Sequence, residues 1–221
     1  MKTIAVFGGT GGLGSLLCPY LEKSYEKVIV IGSKDVDVTS YGEVKDFFDT
    51  HSIDVVINLS GYNYDKFVHK LTAEDLSEVR KQIEINIQGT INITSCALPQ
   101  MREKGYGSLI LVSSVLADHP VISTSIYSGC KGFVDSFVKT VALENAGKNI
   151  SCNSLQLGYF DGGLTFRIPE QFRDKIVKNI PAQRWGDIEE LYNTVNYLVK
   201  TPYITGQNIN ISGGIIGFTK T

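Results

Sequence analysis

Short apolar runs alternate along the whole chain with longer stretches that carry an apolar residue at every third or fourth position. A brief apolar run bounded by turn formers reads as a buried strand, and the three-to-four spacing reads as an amphipathic helix. Strands are predicted at Thr3–Phe7, Lys27–Ile31, Val36–Val38, Asp54–Leu59, Ser108–Ser113, Ile150–Leu155 and Gln207–Ile211. Helical faces are set by Leu13, Leu16, Leu17, Tyr20 and Leu21, by Val44, Phe47 and Phe48, and by the stretch from Leu76 to Met101. Two more follow at Phe133, Phe137 and Val141 and at Ile188, Leu191, Val195 and Leu198. This alternation predicts a seven-stranded parallel sheet with crossover helices on both faces, a three-layer α/β/α fold. No repeat or Pro/Gly/Ser-rich linker divides the chain, so residues 1–221 read as one domain. The segment 162–182, opened by Gly162-Gly163, reads as a substrate lid or as a plain surface helix.

Composition narrows the partners. A formal charge of −2 with no basic run lacks the footprint of a nucleic-acid binder. No stretch is long and apolar enough to span a membrane, and Met1-Lys2 leads straight into a strand, so the expectation is a cytoplasmic protein with no membrane partner. Cys18, Cys96, Cys130 and Cys152 are scattered with no CxxC pair, which predicts reduced, buried thiols and no metal site.

The first candidate for chemistry is Phe7-Gly8-Gly9-Thr10-Gly11-Gly12-Leu13-Gly14, which follows the first strand and opens the first helix. Glycine lets the main chain turn tightly and approach a pyrophosphate, whose charge is met by amides at the helix N-terminus. Gly8, Gly12 and Gly14 fit one dinucleotide-binding spacing, while Gly8, Gly11 and Gly14 fit another. Thr10 and Leu13 fall inside the same turn and join the candidate cofactor residues. At the end of the second strand stand Ser33 and Lys34, where a carboxylate would grip the hydroxyls of an adenosine ribose. A hydroxyl and an ammonium there suit a 2′-phosphate and favour NADP, with NAD left open because Asp35 follows at once.

The most informative constellation is Ser114, then Tyr127, then Lys131. Positions four apart share one helix face, which sets the Tyr127 phenol beside the Lys131 ammonium. A free phenol is a poor acid–base catalyst at neutral pH, and a neighbouring cation is expected to lower its pKa. Ser114 ends the fifth predicted strand, at the sheet edge where ligands collect, with a hydroxyl suited to a substrate oxygen.

Along essentially its whole length the sequence resembles the classical short-chain dehydrogenases/reductases, especially the 3-oxoacyl-acyl-carrier-protein-reductase-like members. The resemblance implies a nicotinamide cofactor, a Rossmann sheet and a catalytic tetrad, here Asn86, Ser114, Tyr127 and Lys131. Tyr127 would move the proton, Ser114 orient the carbonyl, Lys131 hold the nicotinamide ribose, and Asn86 support a water-linked relay. It further implies cofactor contacts from Asp37 and Val38, from Asn58-Leu59-Ser60 and from Gly158 and Phe160, besides the tetrad's Tyr127 and Lys131. Pro181 to Gly186, Thr205-Gly206-Gln207 and Gly213-Gly214 are similar to the family's C-terminal segments. A homodimer or homotetramer is implied too. The departures are a link of only Ser33–Val36 before Asp37, Leu157 in place of a proline, Gly162 in place of a threonine, and Gly61-Tyr62-Asn63 beside the nicotinamide site.

The expected function is therefore NADP(H)-dependent interconversion of a small carbonyl and a secondary alcohol, in a pocket walled by Tyr62, Leu116, His119, Tyr159 and Phe166. A cofactor-binding sensor without turnover is the alternative, suggested by the shortened link and the missing threonine. An epimerase of the extended family needs more chain than the 63 residues after Gly158.

Overall fold

A computed structural model describes residues 2–163, 165 and 169–216. Strands β1 (Thr3–Phe7), β2 (Lys27–Ile31), β3 (Val55–Asn58), β4 (Gly107–Ser114), β5 (Ile150–Leu157) and β6 (Asn208–Ile211) pair in parallel as one sheet, in the order β2-β1-β3-β4-β5-β6. The helices are α1 (Gly14–Ser24), α2 (Tyr41–Thr50), α3 (Leu76–Ile83), α4 (Gly89–Lys104), α5 (Ser125–Asn145), α6 (Glu170–Asn179) and α7 (Ile188–Lys200). Successive strand residues face opposite sides of a sheet. Ala5 and Phe7 of β1 accordingly join a core with α2, α4 and α5, while Ile4 and Val6 join one with α1 and α7. Burial on both faces explains why the central strands read as unbroken apolar runs rather than alternating ones. Phe7 is fully buried, edge-on to Phe47 at 5.3 Å, and its burial alone is worth about 2–3 kcal/mol.

Among the described residues the sheet has six strands rather than the seven expected, because Val36–Val38 does not form one. A parallel partner for β2 requires a crossover of roughly a dozen residues or more, which the short link cannot supply. Gly32 instead turns the chain at once: its carbonyl accepts from the Asp35 and Val36 amides at 3.0 and 3.2 Å, and its amide donates to Asp35 Oδ2 at 2.8 Å. The carbonyls of Val38 and Thr39 are then taken by Asn92 Nδ2 at 3.0 and 3.2 Å. β2 is thereby left as the sheet edge.

The stretch from Leu76 to Met101 is likewise not one uniform helix. A π-helical turn, Glu84–Gln88, separates α3 from α4 and carries Asn86. α7 starts cleanly because Asp187 and Glu190 form a reciprocal capping box. Among the described residues no helix is long and apolar enough to cross a membrane, and no cluster of His, Cys, Asp and Glu could hold a metal ion.

Candidate active site

A cavity of about 550 Å³ runs across the carboxyl ends of β1 to β5, within the size range of small-molecule sites. Its floor is the turn between β1 and α1. Gly11 N donates to Gly8 O at 3.0 Å, and a Cβ on Gly14 would lie 2.3 Å from that same oxygen. A Cβ on Gly12 would come within 2.4 Å of Gly163 Cα, so this turn and the chain after β5 pack main chain against main chain. The result is a narrow, side-chain-free cradle at the N-terminus of α1, the arrangement that suits a pyrophosphate.

Of the expected cofactor residues, Gly8, Gly12, Leu13, Gly14, Ser33, Asp37, Val38, Leu59, Ser60, Tyr127, Lys131, Gly158 and Phe160 line the cavity. Thr10, Lys34 and Asn58 do not. The Thr10 side chain packs over Gly32, whose Cβ would sit 2.2 Å from Thr10 Oγ1. Lys34 is exposed. Asn58 is buried beneath the floor and accepts from Ser60 N at 3.0 Å, so it shapes the wall without forming it. Asp35 is spent on the Gly32 turn.

At the other end, Ser114, Tyr127 and Lys131 line the same wall and are 8%, 8% and 3% exposed. The Ser114 hydroxyl stands close enough to the Tyr127 phenol to oppose its upward shift, and Ser114 Oγ accepts from Leu116 N at 3.2 Å. Lys131 Nζ donates to Val112 O at 2.9 Å and lies 5.6 Å from the centre of the Tyr127 ring. Ser113 Oγ ties the Lys131 carbonyl to β4 at 3.1 Å. Asn86 is just behind the wall. Its Nδ2 donates to the carbonyls of Tyr62 and Gln82 at 2.7 and 2.8 Å, which leaves a buried Oδ1 with no partner among the described residues. That oxygen and the Lys131 ammonium face one gap: a Cβ on Gly61 would lie 3.4 Å from the first and 3.8 Å from the second.

Burial decides the protonation of this corner. The Tyr127 phenol is pushed well above its ordinary range, first by desolvation, then by Asp65 and Cys130, with the Ser114 hydroxyl opposing. Lys131 is brought down to about 8 by burial, while Cys130 and Asp135 oppose the fall. The shift runs opposite to the expected acidification by Lys131: desolvation dominates it, and Lys131 is not among the groups that move the phenol.

The expected substrate wall fares differently. Tyr62, Leu116, His119 and Tyr159 do not line this cavity. Tyr62 hydrogen-bonds Glu78 under Lys81, and Tyr159 packs edge-on to Trp185 at 6.0 Å, against Val115, Ile180 and Ile215. Phe166 lies outside the described residues. Thr165, Gly162 and Gly163 do line the cavity, as do Lys81 and Ile85 of the neighbouring helical segments. Thr165 was missed because it stands three positions beyond the threonine expected at 162; a hydroxyl just after the diglycine was the available signal.

Residues 20–216 match the family model described as enoyl-(acyl carrier protein) reductase. The chain is 29% identical to carbonyl reductase family member 4 of Xenopus tropicalis over 237 aligned positions, covering 97% of this chain and 98% of that protein. It is 32% identical to the 3-oxoacyl-[acyl-carrier-protein] reductase FabG of Thermotoga maritima, covering 74% of this chain and 66% of that one. Identity to the acetoacetyl-CoA reductase of Rhizobium meliloti is 28%, with 96% and 98% covered.

Proposed function

The chain belongs to the classical short-chain dehydrogenase/reductase family of NAD(P)-dependent oxidoreductases, and on that footing we propose that it interconverts a carbonyl and a secondary alcohol with NADP(H). The carrying observation is the meeting of the Ser114 hydroxyl, the Tyr127 phenol, the Lys131 ammonium and the open Asn86 Oδ1 around one end of the glycine-floored cavity.

The residues fit a dinucleotide. The Gly8 to Gly14 turn would take the pyrophosphate on main-chain amides, Asp37 and Val38 would border the adenine, and Ser33 would meet a 2′-phosphate. Leu59, Ser60, Gly158, Phe160 and Thr165 would enclose the rest. When bound, the nicotinamide supplies or accepts the hydride. The protein's own groups handle the oxygen: Ser114 donates a hydrogen bond that strengthens as charge develops there, and Tyr127 gives the proton. Burial keeps the Tyr127 phenol in its protonated form, the form that carries the proton consumed when a carbonyl is reduced. Lys131 holds the ribose, and the gap shared by its ammonium and Asn86 Oδ1 is suited to a water that returns the proton to Tyr127.

The relatives' names point to small ketones and acyl thioesters as substrates. A cytoplasmic location is supported by four buried free cysteines, which suit a reducing compartment. A homodimer or homotetramer is supported by the exposed Leu143 and the stacked pair Phe133 and Phe137 on α5. The packing of Ile176 and Ile180 against Val115 and Trp185 supports residues 162–182 as a cover for the substrate side of a single domain.

The test is titration with NADPH and NADH by nicotinamide fluorescence, followed by absorbance assays on ketones, acyl thioesters and sugar carbonyls. Tight NADPH binding with turnover is expected. Binding without turnover across the panel would replace the enzyme reading with a cofactor sensor.

A further inference from the structure

Helix α5 carries a second buried ionisable group, which the proposed reaction does not use. Asp135 lies one helical turn beyond Lys131 on the face turned to the sheet, and the two residues are 4% and 3% exposed. Both carboxylate oxygens are engaged by β5: Ser154 Oγ is 2.7 Å from Oδ1, and Gln156 Nε2 donates to Oδ2 at 2.7 Å. The same Gln156 amide donates to Asp118 Oδ2 at 2.7 Å, on the loop that follows Ser114. An amide nitrogen has only hydrogens to offer, so Oδ2 is an acceptor and the carboxylate is oriented, not free to turn away.

An ammonium buried this deeply requires an opposite charge nearby. The groups facing Lys131 are the Val112 carbonyl of β4, Asn86 Oδ1 from the π-helical turn, and Tyr127, Cys130 and Asp135 of α5 itself. Burial pushes the Tyr127 phenol and the Cys130 thiol upward, which keeps both neutral at pH 7. Asp135 is the remaining anion. The interior screens charge weakly, so the attraction persists over one helical turn without direct contact.

We propose that Asp135 is the buried counter-ion that holds Lys131 in its ammonium form, its carboxylate oriented by the Gln156 amide. Its consequence for turnover rests on the reading of Lys131 given above; the charge pairing itself does not.

The experiment separates the two. Nuclear magnetic resonance of protein labelled with ¹³C at the lysine ε-carbon follows Lys131 directly through a pH titration, with Lys131→Met assigning its signal. A midpoint near 8 is expected in the wild type. In Asp135→Asn it should fall by about one pH unit, a tenfold change in the ratio of ammonium to amine. In Ser154→Ala, which removes a hydrogen bond but no charge, it should stay in place. An unmoved midpoint in Asp135→Asn, or an equal movement in Ser154→Ala, would overturn the proposal. Should Asp135→Asn not fold, Asp135→Ser, smaller and able to accept from Gln156, is titrated in its place with the same expected fall. In assays the high-pH decline of kcat/KM should move down with the midpoint. A midpoint that falls while no variant, nor the wild type, turns over any carbonyl supports the counter-ion and counts against the catalytic reading instead.

Discussion

At the end of the cavity where β4 meets α5, Ser114, Tyr127, Lys131 and Asn86 are all buried and anchored to main chain or to one another, whereas at the β2 end Ser33, Lys34 and Asp37 are exposed. The buried end sits in the middle of the sheet, between strands that are paired on both sides. The exposed end sits at an edge, where a turn around Gly32 replaces the expected third strand. Loss of that strand therefore falls on the part of the cavity proposed above for the cofactor's far end and leaves the proposed reacting end untouched. Position is over-determined at one end and depends on single side chains at the other.

Substitutions on the two sides should differ accordingly. Tyr127→Phe is expected to lower kcat by roughly 10³-fold with NADPH affinity nearly unchanged, as for loss of a general acid. Substantial residual turnover, measured by nicotinamide absorbance, would remove Tyr127 from the proton step. Between the two ends, Gly12→Ala forces a methyl against Gly163, and main chain on both sides cannot yield cheaply. A loss of about 1–3 kcal/mol in denaturant unfolding is expected, with NADPH binding weakened at least tenfold in rough terms. Unchanged binding would show that the cradle is not where the pyrophosphate lies.

The buried end also carries a pH signature. Lys131 has a folded-state pKa of about 8 against 10.5 when unfolded, so the unfolded chain binds more protons between those values and stability rises with pH across them. The penalty for the buried charge is complete below pH 8 and gone above 10.5, and it amounts to about 3 kcal/mol. Lys131→Met should consequently be more stabilising at pH 7 than at pH 9.5 in urea unfolding; an advantage that does not shrink with rising pH would contradict a depressed lysine.

The smallest effects belong to the edge. Ser33→Asp should weaken NADPH about tenfold through repulsion of the 2′-phosphate and leave NADH nearly unchanged. Lys34→Ala should weaken NADPH only about two- to threefold, because the side chain is solvated and outside the cavity. A larger effect at Lys34 than at Ser33 would show that the phosphate is gripped from outside the cavity wall.

These contrasts also explain what could be read from the chain alone. The central strands were legible because burial on both faces writes continuous apolar runs, and the spacing of Tyr127 and Lys131 fixes them to one helix face. Val36–Val38 reads as a strand because Val36 is buried and Val38 half-buried in the core shared with α2 and α4, and periodicity cannot distinguish such packing from strand pairing. The π-helical turn at Asn86 left no mark in an apolar pattern that continues through it. The direction of the Tyr127 shift was invisible for another reason: spacing reports which charges are near, but not how much water has been removed around them.

The position of β2 has one more effect. One side of Lys27–Ile31 is paired to β1, and the other leaves main-chain donors and acceptors without a ladder. After Lys27 the run is wholly apolar, Val28-Ile29-Val30-Ile31, a composition that invites strands of separate molecules to stack into aggregates. The exposed charges of Glu26 and Lys27 at one end and the abrupt bend at Gly32 at the other keep this sticky stretch to the four residues Val28 to Ile31. Neutralising that pair of charges should therefore favour association through this edge.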